Sequence, residues 1–139
     1  MHSQDTDRLR IGELHRVSRV PIRTIRYYEK LGLIQVAQRT EGGFRLFRPE
    51  VADRLAFIKR TQRLGFSLEE IRHILDIHDQ GELPCAEVRQ RLQVKIAEID
   101  QRIVQLQLLR TELMSLASEP PELKEISDDI ICPILQSPG

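Results

Sequence analysis

The amino-acid sequence predicts a mainly α-helical protein with one small β-hairpin in its first half and one long helix in its second half. Apolar residues recur at helical spacing along most of the chain, and one Gly-Gly pair beside aromatic residues has the pattern of a hairpin. Hydrophobic residues make up 40% of the 139 residues but aromatic residues only 4%, which favours an Ile/Leu-rich helical chain over a β-sandwich.

Two short helices joined by a tight turn are predicted at the start of the chain. Residues 10–20 place apolar side chains on one helical face, and residues 18–20 break that helix before Pro21. Proline suits a first helical turn and glycine often follows a last one, so a second helix is predicted from residue 22 to Gly32. This order is typical of a helix-turn-helix. The apolar faces consist of Ile11, Leu14 and Val17 in the first helix and Ile22, Ile25 and Leu31 in the second.

The second helix also carries side chains that suit DNA within two turns. Arginine can form bidentate hydrogen bonds with guanine in the major groove, and arginine or tyrosine can hold a backbone phosphate. A surface helix with scattered arginines is the alternative interpretation. The candidate DNA-binding residues of this helix are Arg23, Thr24, Arg26, Tyr27 and Tyr28.

A basic hairpin is predicted directly after these helices, over residues 39–47. Gly42 and Gly43 permit the positive φ of a tight turn, and Leu46 and Phe47 favour strand. We expect a wing that grips the DNA backbone, which makes the predicted fold a winged helix-turn-helix. The alternative is a hairpin that only packs on the helices. The candidate contacts on the wing are Arg39, Phe44 and Arg45.

Two further helices are predicted to link this head to the rest of the chain. The first spans residues 49–65, and the second spans residues 67–81. The second opens with Ser67 and Glu70 in the S-x-x-E pattern of a capping box. Two basic residues on the later turns of the first helix are candidate phosphate contacts, Lys59 and Arg60.

One long helix is predicted from Cys85 to about residue 117, a length of about 50 Å. Its Ile and Leu residues alternate at spacings of four and three, which is a heptad seam that Arg110 interrupts. Because the small head cannot cover so long a stripe, a second copy of the chain is the simplest cover, and packing within the monomer is the alternative. The predicted dimer seam consists of Leu92, Ile96, Ile99, Ile103, Leu106 and Leu113.

The two halves of the chain differ in charge although the formal net charge is zero. Residues 8–66 hold 14 lysines and arginines against 5 aspartates and glutamates, a net +9. Residues 81–139 hold 6 against 10, a net −4. The basic half predicts a surface for double-stranded DNA, which leaves the acidic half for self-association and sensing.

Several classes of protein do not fit the sequence. No apolar run reaches the roughly 18 residues of a membrane span, and the first residues lack a secretory signal core, so we expect no membrane partner and a cytoplasmic location. An enzyme is not expected, because the chain has no Gly-rich phosphate loop, no nucleophile elbow and no evident carboxylate pair.

The chain resembles the DNA-binding domain of the MerR-family transcriptional regulators in the segment IGELHRVSRVPIRTIRYYEKLGLI followed by RTEGGFRLF. The later segment KRTQRLGFSLEEIRHIL is similar to the family's second helix pair, and the long helix is similar to its dimerisation helix. The family more often has tyrosine where this chain has Phe44 and Phe47, so hydroxyl contacts with phosphate are missing there. The expected domains are a head with linker helices at 9–80, a dimerisation helix at 84–117 and a metal-binding loop and tail at 118–139.

The resemblance implies an antiparallel coiled-coil homodimer that stays on promoter DNA. Binding of an effector would distort the DNA so that RNA polymerase can engage the promoter. The two cysteines, Cys85 and Cys132, are the candidate metal ligands. Their separation in a chain without a secretory signal argues against a structural disulfide. Cys85 opens the long helix, whose N-terminus favours an anionic thiolate.

In the implied antiparallel dimer, Cys132 of one subunit would approach Cys85 of the other and give two thiolates for Hg(II), Zn(II), Cd(II), Pb(II) or Cu(I). The chain resembles the metal-responsive branch at Cys132, which lies in a C-P-I segment, and cysteine at position 85 resembles sensors of divalent ions. The branch usually carries a further loop cysteine, where this chain has Glu-Pro-Pro at 119–121. Hg(II) accepts two thiolates, whereas Zn(II) needs further ligands, for which the candidates are His78, Asp128, Asp129 or water.

Two other functions are also compatible with the sequence. The first is a redox or electrophile sensor on the same scaffold, with Cys85 or Cys132 as the reactive thiol. The second is a DNA-binding protein that responds to no ligand. The cysteines would then be one buried small residue and one incidental thiol.

Overall fold

A computed structural model of the chain describes residues 7–118 and 127–136. The predicted helix-turn-helix, hairpin, linker helix pair and long helix are confirmed, and two short elements were not predicted, the strand Leu9–Arg10 and the helix Pro133–Gln136. No helix in the described ranges is long and apolar enough to cross a lipid bilayer. In chain order the elements are β1 (Leu9–Arg10), α1 (Ile11–Ser18), α2 (Ile22–Lys30), β2 (Gln38–Arg39), β3 (Arg45–Phe47), α3 (Glu50–Arg63), α4 (Leu68–Asp79), α5 (Cys85–Ser118) and α6 (Pro133–Gln136).

The chain divides into two compact units. The first, here called the head, ends at Glu87, and the second, here called the tail, begins at Val88. All buried hydrophobic side chains of the described residues lie in the head. They come from α1 through α4, from β3 and from the segments that follow α1, α2 and α3, so the helix-turn-helix, the wing and the linker helices share one core. The core consists of Leu14, Val20, Ile25, Tyr28, Leu33, Ile34, Phe47, Val51, Leu55, Ile58, Phe66, Ile71, Ile74 and Leu75.

The turn between α1 and α2 is held by a local network of hydrogen bonds. Arg19 adopts a left-handed conformation with φ 62°, and its N–H donates to the His15 carbonyl at 2.7 Å. The Ser18 hydroxyl donates to the Leu14 carbonyl at 2.6 Å and accepts from the Val20 N–H at 3.2 Å. A non-glycine residue rarely adopts this conformation, so these bonds fix a sharp turn that sets the direction of α2. Val17, expected on the buried face of α1, is 64% exposed, and Leu14 is the buried residue of this helix.

The wing is a three-stranded antiparallel sheet in the order β1-β3-β2. Leu9 of β1 pairs with Phe47, and Arg39 of β2 pairs with Arg45. In the turn of the hairpin, Gly43 has φ 82° and donates its N–H to the Thr40 carbonyl at 2.9 Å. Such a φ favours glycine, as predicted. Because β1 runs directly into α1, the unpredicted strand ties the wing to the helix-turn-helix.

The linker helices and the long helix follow the predicted boundaries closely. The Ser67 hydroxyl accepts from the Glu70 N–H at 3.1 Å, and the Glu70 carboxylate accepts from the Ser67 N–H at 3.0 Å. This confirms the predicted capping box at the start of α4. Helix α5 has 34 residues and buries none of its side chains.

Candidate functional site

Helix α2 presents most of its predicted DNA-binding side chains to solvent. Ile25 lies in the core, and this placement turns the opposite face outward. On that face Arg23 and Arg26 are exposed and Thr24 is half-buried. The ring of Tyr27 is 50% exposed. The helix therefore offers two guanidinium groups and one phenol within two turns, which suits a groove and its flanking phosphates.

Tyr28 has a different position from the one that we predicted. It is only 4% exposed, and its hydroxyl donates to the Gln62 side-chain oxygen at 2.7 Å. Burial raises the pKa of Tyr28, which keeps the hydroxyl protonated as a donor. This burial corrects the expectation that the Tyr28 side chain contacts DNA. The residue instead joins α2 to α3, because helical spacing places position 28 on the same face as Ile25.

The wing arginines are attached to α2 through Glu29. The Arg45 Nε donates to the Glu29 carboxylate at 2.5 Å, and both side chains are mostly buried. The Arg39 guanidinium lies 4.0 Å from the same carboxylate and donates to the Gly43 carbonyl at 3.0 Å. Arg45 is therefore engaged within the head, and Arg39 remains the more exposed of the two cations. Glu29 was not selected from the sequence; the available signal was a lone acid on an otherwise basic helix.

A basic cleft of about 530 Å³ lies between α1, α2 and the wing. Phe44 is 64% exposed, and the Arg10 guanidinium lies over its ring, 5.8 Å from the centroid. Phe47 lies in the core. The Phe44 ring therefore makes a cation–π contact with Arg10. It lacks the hydroxyl group that a tyrosine at this position would offer to a phosphate. Four arginines line the cleft, of which two were not selected from the sequence, and these four are Arg10, Arg16, Arg26 and Arg45.

The last turns of α3 carry the remaining predicted phosphate contacts. Lys59 and Arg60 are both exposed. Their neighbour Ile58 is fully buried, so α3 directs these two cations away from the core of the head. Their role as DNA contacts stays a prediction.

The predicted dimer seam forms an open apolar stripe on α5. Its six Ile and Leu side chains are between 39% and 61% exposed. In a single chain this is a large uncovered hydrophobic surface, and further apolar side chains of the same helix are exposed outside the seam, namely Val94, Val104, Leu108, Leu109 and Met114. The seam residues are Leu92, Ile96, Ile99, Ile103, Leu106 and Leu113.

The two cysteines have different environments. Cys85 is the first residue of α5, belongs to the head and is exposed. Cys132 belongs to the tail, is half-buried and lies directly before α6. The Gln136 side-chain oxygen accepts from the N–H groups of Ile131 and Cys132 at 2.8 Å and 2.9 Å, and its nitrogen donates to the Asp129 carbonyl at 3.0 Å. Gln136 therefore closes the loop that carries Cys132, a role that the sequence did not reveal.

No group of three or more His, Cys, Asp or Glu side chains that could hold a metal ion occurs within residues 7–118 and 127–136. The additional ligands considered for Zn(II) are all exposed, namely His78, Asp128 and Asp129. The Glu-Pro-Pro segment that replaces the usual loop cysteine lies outside the described residues.

Two family models match the chain, one for MerR HTH family regulatory proteins over residues 9–77 and one for the MerR DNA-binding region over residues 52–116. The chain is also 42% identical over 130 residues to the mercuric resistance operon regulatory protein of Bacillus cereus, which covers 94% of this chain and 96% of that protein. This chain belongs to the MerR family. It is thus a DNA-binding transcriptional regulator, in agreement with the expectation that it is not an enzyme.

Two other relatives are similar over most of their length. The HTH-type transcriptional regulator ZntR of Escherichia coli K12 is 43% identical over 108 residues, which cover 77% of each chain. Among solved structures, the regulator PbrR691 of Ralstonia metallidurans CH34, in complex with lead(II), has a TM-score of 0.74 and 35% identity. That match covers 91% of this chain and 96% of the other.

Proposed function

We propose that this MerR-family protein is a homodimer that binds promoter DNA through its two heads and senses a soft divalent metal ion through Cys85 and Cys132 of opposite subunits. The metal would be held by the two thiolates and would supply a link between the subunits. Binding would shift the head toward a conformation that distorts the promoter and lets RNA polymerase engage it.

The DNA-binding part of this proposal is supported by the exposed basic surface of the head. Arg23, Arg26 and Tyr27 face outward on α2, and the arginine-lined cleft lies beside them under the wing. Arg39 adds a further cation on the wing, and Lys59 and Arg60 extend the positive charge along α3. Clustered cations of this kind neutralise phosphates and release counterions.

The dimer is supported by the open seam of α5. Apolar side chains at alternating spacings of four and three are typical of a coiled coil, and the helix has the length to form one alone. A palindromic operator would follow from the two-fold symmetry of such a dimer.

The proposed metal site depends on one observation: the chain has two cysteines, of which Cys85 begins α5 and Cys132 directly precedes α6. Both thiols are uncommitted to a disulfide. Thiolates select soft ions, and two of them satisfy Hg(II) more readily than Zn(II), which favours four ligands. The relatives support this class of ion, since one controls a mercuric resistance operon and another was solved with lead(II).

Titration of the reduced protein with Hg(II), Pb(II), Cd(II), Zn(II) and Cu(I) tests the metal assignment. We expect two Hg(II) ions per dimer, with the loss of two free thiols for each ion bound. If no ion binds and the thiols instead form disulfides or sulfenic acids with mild oxidants, the redox-sensor hypothesis replaces this one.

Binding to a palindromic site selected from random double-stranded DNA tests the DNA assignment. Arg26→Ala should weaken binding and reduce the salt slope by about one unit for each phosphate that the arginine no longer neutralises. Arg89→Ala, which removes an exposed arginine of α5, is the charge-matched control and should leave the slope unchanged. Equal slopes for both variants would remove the α2 face from the proposed interface.

A further inference from the structure

Arg54 joins two parts of the head that lie far apart in the sequence. Its Nε donates to the Leu33 carbonyl at 2.6 Å. Its two terminal nitrogens donate to the two oxygens of Asp79 at 2.7 Å and 2.9 Å. The Arg54 side chain is only 21% exposed and the Asp79 side chain is 46% exposed, so the guanidinium of this bidentate pair is shielded from water and the carboxylate is partly open to it. We call the Leu33 carbonyl, the Arg54 guanidinium and the Asp79 carboxylate the Arg54 clamp.

The first end of the clamp is fixed to the DNA-binding helix. Leu33 is separated from the end of α2 by Leu31 and Gly32 alone, and it is almost fully buried. Its N–H donates to the Tyr28 carbonyl at 2.9 Å, within the last turn of α2. A displacement of the Leu33 carbonyl would therefore displace the end of α2 with it.

The other end of the clamp is fixed to the approach to Cys85. Asp79 is the last residue of α4, and residues 80–84 alone separate it from Cys85. Gly81 has φ 86° and donates its N–H to the His78 carbonyl at 2.9 Å, so this segment begins with a tight turn. Because the segment is short, few backbone torsions can absorb a displacement of Cys85. We therefore expect such a displacement to move Asp79 as well.

We propose that the Arg54 clamp transmits the state of Cys85 to the DNA-binding helix, with Arg54 and Asp79 acting as positioning residues. This inference rests on the proposed function, because it takes Cys85 as the effector site. Neither residue would touch the metal or the DNA. Their role would be to couple the end of α4 to the end of α2, so that a displacement of one helix end also displaces the other.

Asp79→Asn tests the clamp without changing the size of the side chain. Asp76→Asn removes an exposed carboxylate one turn earlier on the same helix and is the matched control. Arg54→Lys keeps the positive charge but cannot make the bidentate contact and also reach the Leu33 carbonyl.

Hydrogen exchange of the metal-free protein is the first measurement. Asp79→Asn and Arg54→Lys should each speed exchange of the amides in residues 31–37 by roughly tenfold, while Asp76→Asn should not. Exchange that is unchanged in both clamp variants would overturn the proposal. This arm needs no metal, so it judges the clamp even if the wild type proves to bind no soft ion.

Transcription in vitro is the second measurement, with Hg(II) as the effector. Asp79→Asn should reduce the Hg(II)-dependent stimulation by roughly tenfold, with operator affinity and Hg(II) affinity each within about threefold of wild type. Undiminished stimulation, or an equal loss in Asp76→Asn, would refute the role in transmission. A loss of operator affinity as large as the loss of stimulation would show that the clamp only supports the fold. Failure of the wild type to bind Hg(II) would instead refute the proposed metal site.

Discussion

Ile99→Asp is the sharpest perturbation of the proposed dimer. Ile99 lies near the middle of the seam and is 57% exposed in the single chain, so much of its surface is left for a partner to cover. Burial of a whole isoleucine side chain contributes about 1.5–3 kcal/mol, and the part still exposed would contribute about 1 kcal/mol for each subunit. The substitution removes this contribution twice in a dimer.

The introduced carboxylate adds a larger penalty. An aspartate in the seam would either be buried without a partner or take up a proton, at a cost of several kcal/mol in the dimer. A total loss of at least about 4 kcal/mol would raise the dimer dissociation constant by roughly a thousandfold. We expect Ile99→Asp, and likewise Ile103→Asp, to be monomeric at micromolar concentration.

Sedimentation velocity over a range of concentrations measures this change. Gln101→Asp is the matched control, since Gln101 is exposed on the same helix but lies outside the seam. The control should remain a dimer, and the seam variants should also lose tight binding to a palindromic site. If Ile99→Asp sediments as a dimer at the wild-type concentration, the interface does not lie along this seam.

Three further predictions concern single side chains. Tyr28→Phe should lower the free energy of unfolding by about 1 kcal/mol in urea titrations, through loss of the hydrogen bond to Gln62, and should leave operator affinity within about twofold. Gln136→Ala should weaken Hg(II) binding by about tenfold in a competition titration, because its three backbone bonds position the loop of the metal ligand. The hydrogen bond from Arg54 lowers the pKa of Asp79, so this pair stabilises the head at neutral pH and loses that contribution as the pH falls through the lowered pKa. Asp79→Asn should therefore flatten the acid side of the stability profile, and an unchanged profile would contradict this assignment.

The helices were predictable from the sequence because their signals are local. The S-x-x-E pattern at Ser67 is formed within one turn, and the seam of α5 repeats its spacing over several turns. Gly43 adopts the positive φ that its position in the hairpin requires. Each of these features depends on residues a few positions apart, which periodicity and turn chemistry describe directly.

The errors and omissions involve contacts between distant parts of the chain. Tyr28 was grouped with the DNA-binding side chains that fall within two turns of the second helix, but its hydroxyl donates to Gln62 of another helix. Glu29 meets Arg45 across 16 positions, and Arg54 meets Asp79 across 25 positions. Strand β1 has only two residues, too few to show the alternation of apolar and polar side chains that marks a strand. It forms because β3 is available to pair with it. Spacing along the sequence carries no signal for pairs of this kind.

We propose above that each metal ion is held by Cys85 of one subunit and Cys132 of the other. Co-expression of Cys85→Ser and Cys132→Ser chains with different affinity tags yields a heterodimer that has one intact pair of thiols and one pair without thiols. We expect two Hg(II) ions per wild-type dimer, one per heterodimer, and no tightly held ion in either single-variant homodimer. A heterodimer that binds no Hg(II), while the wild type binds two ions, would contradict a site shared between subunits.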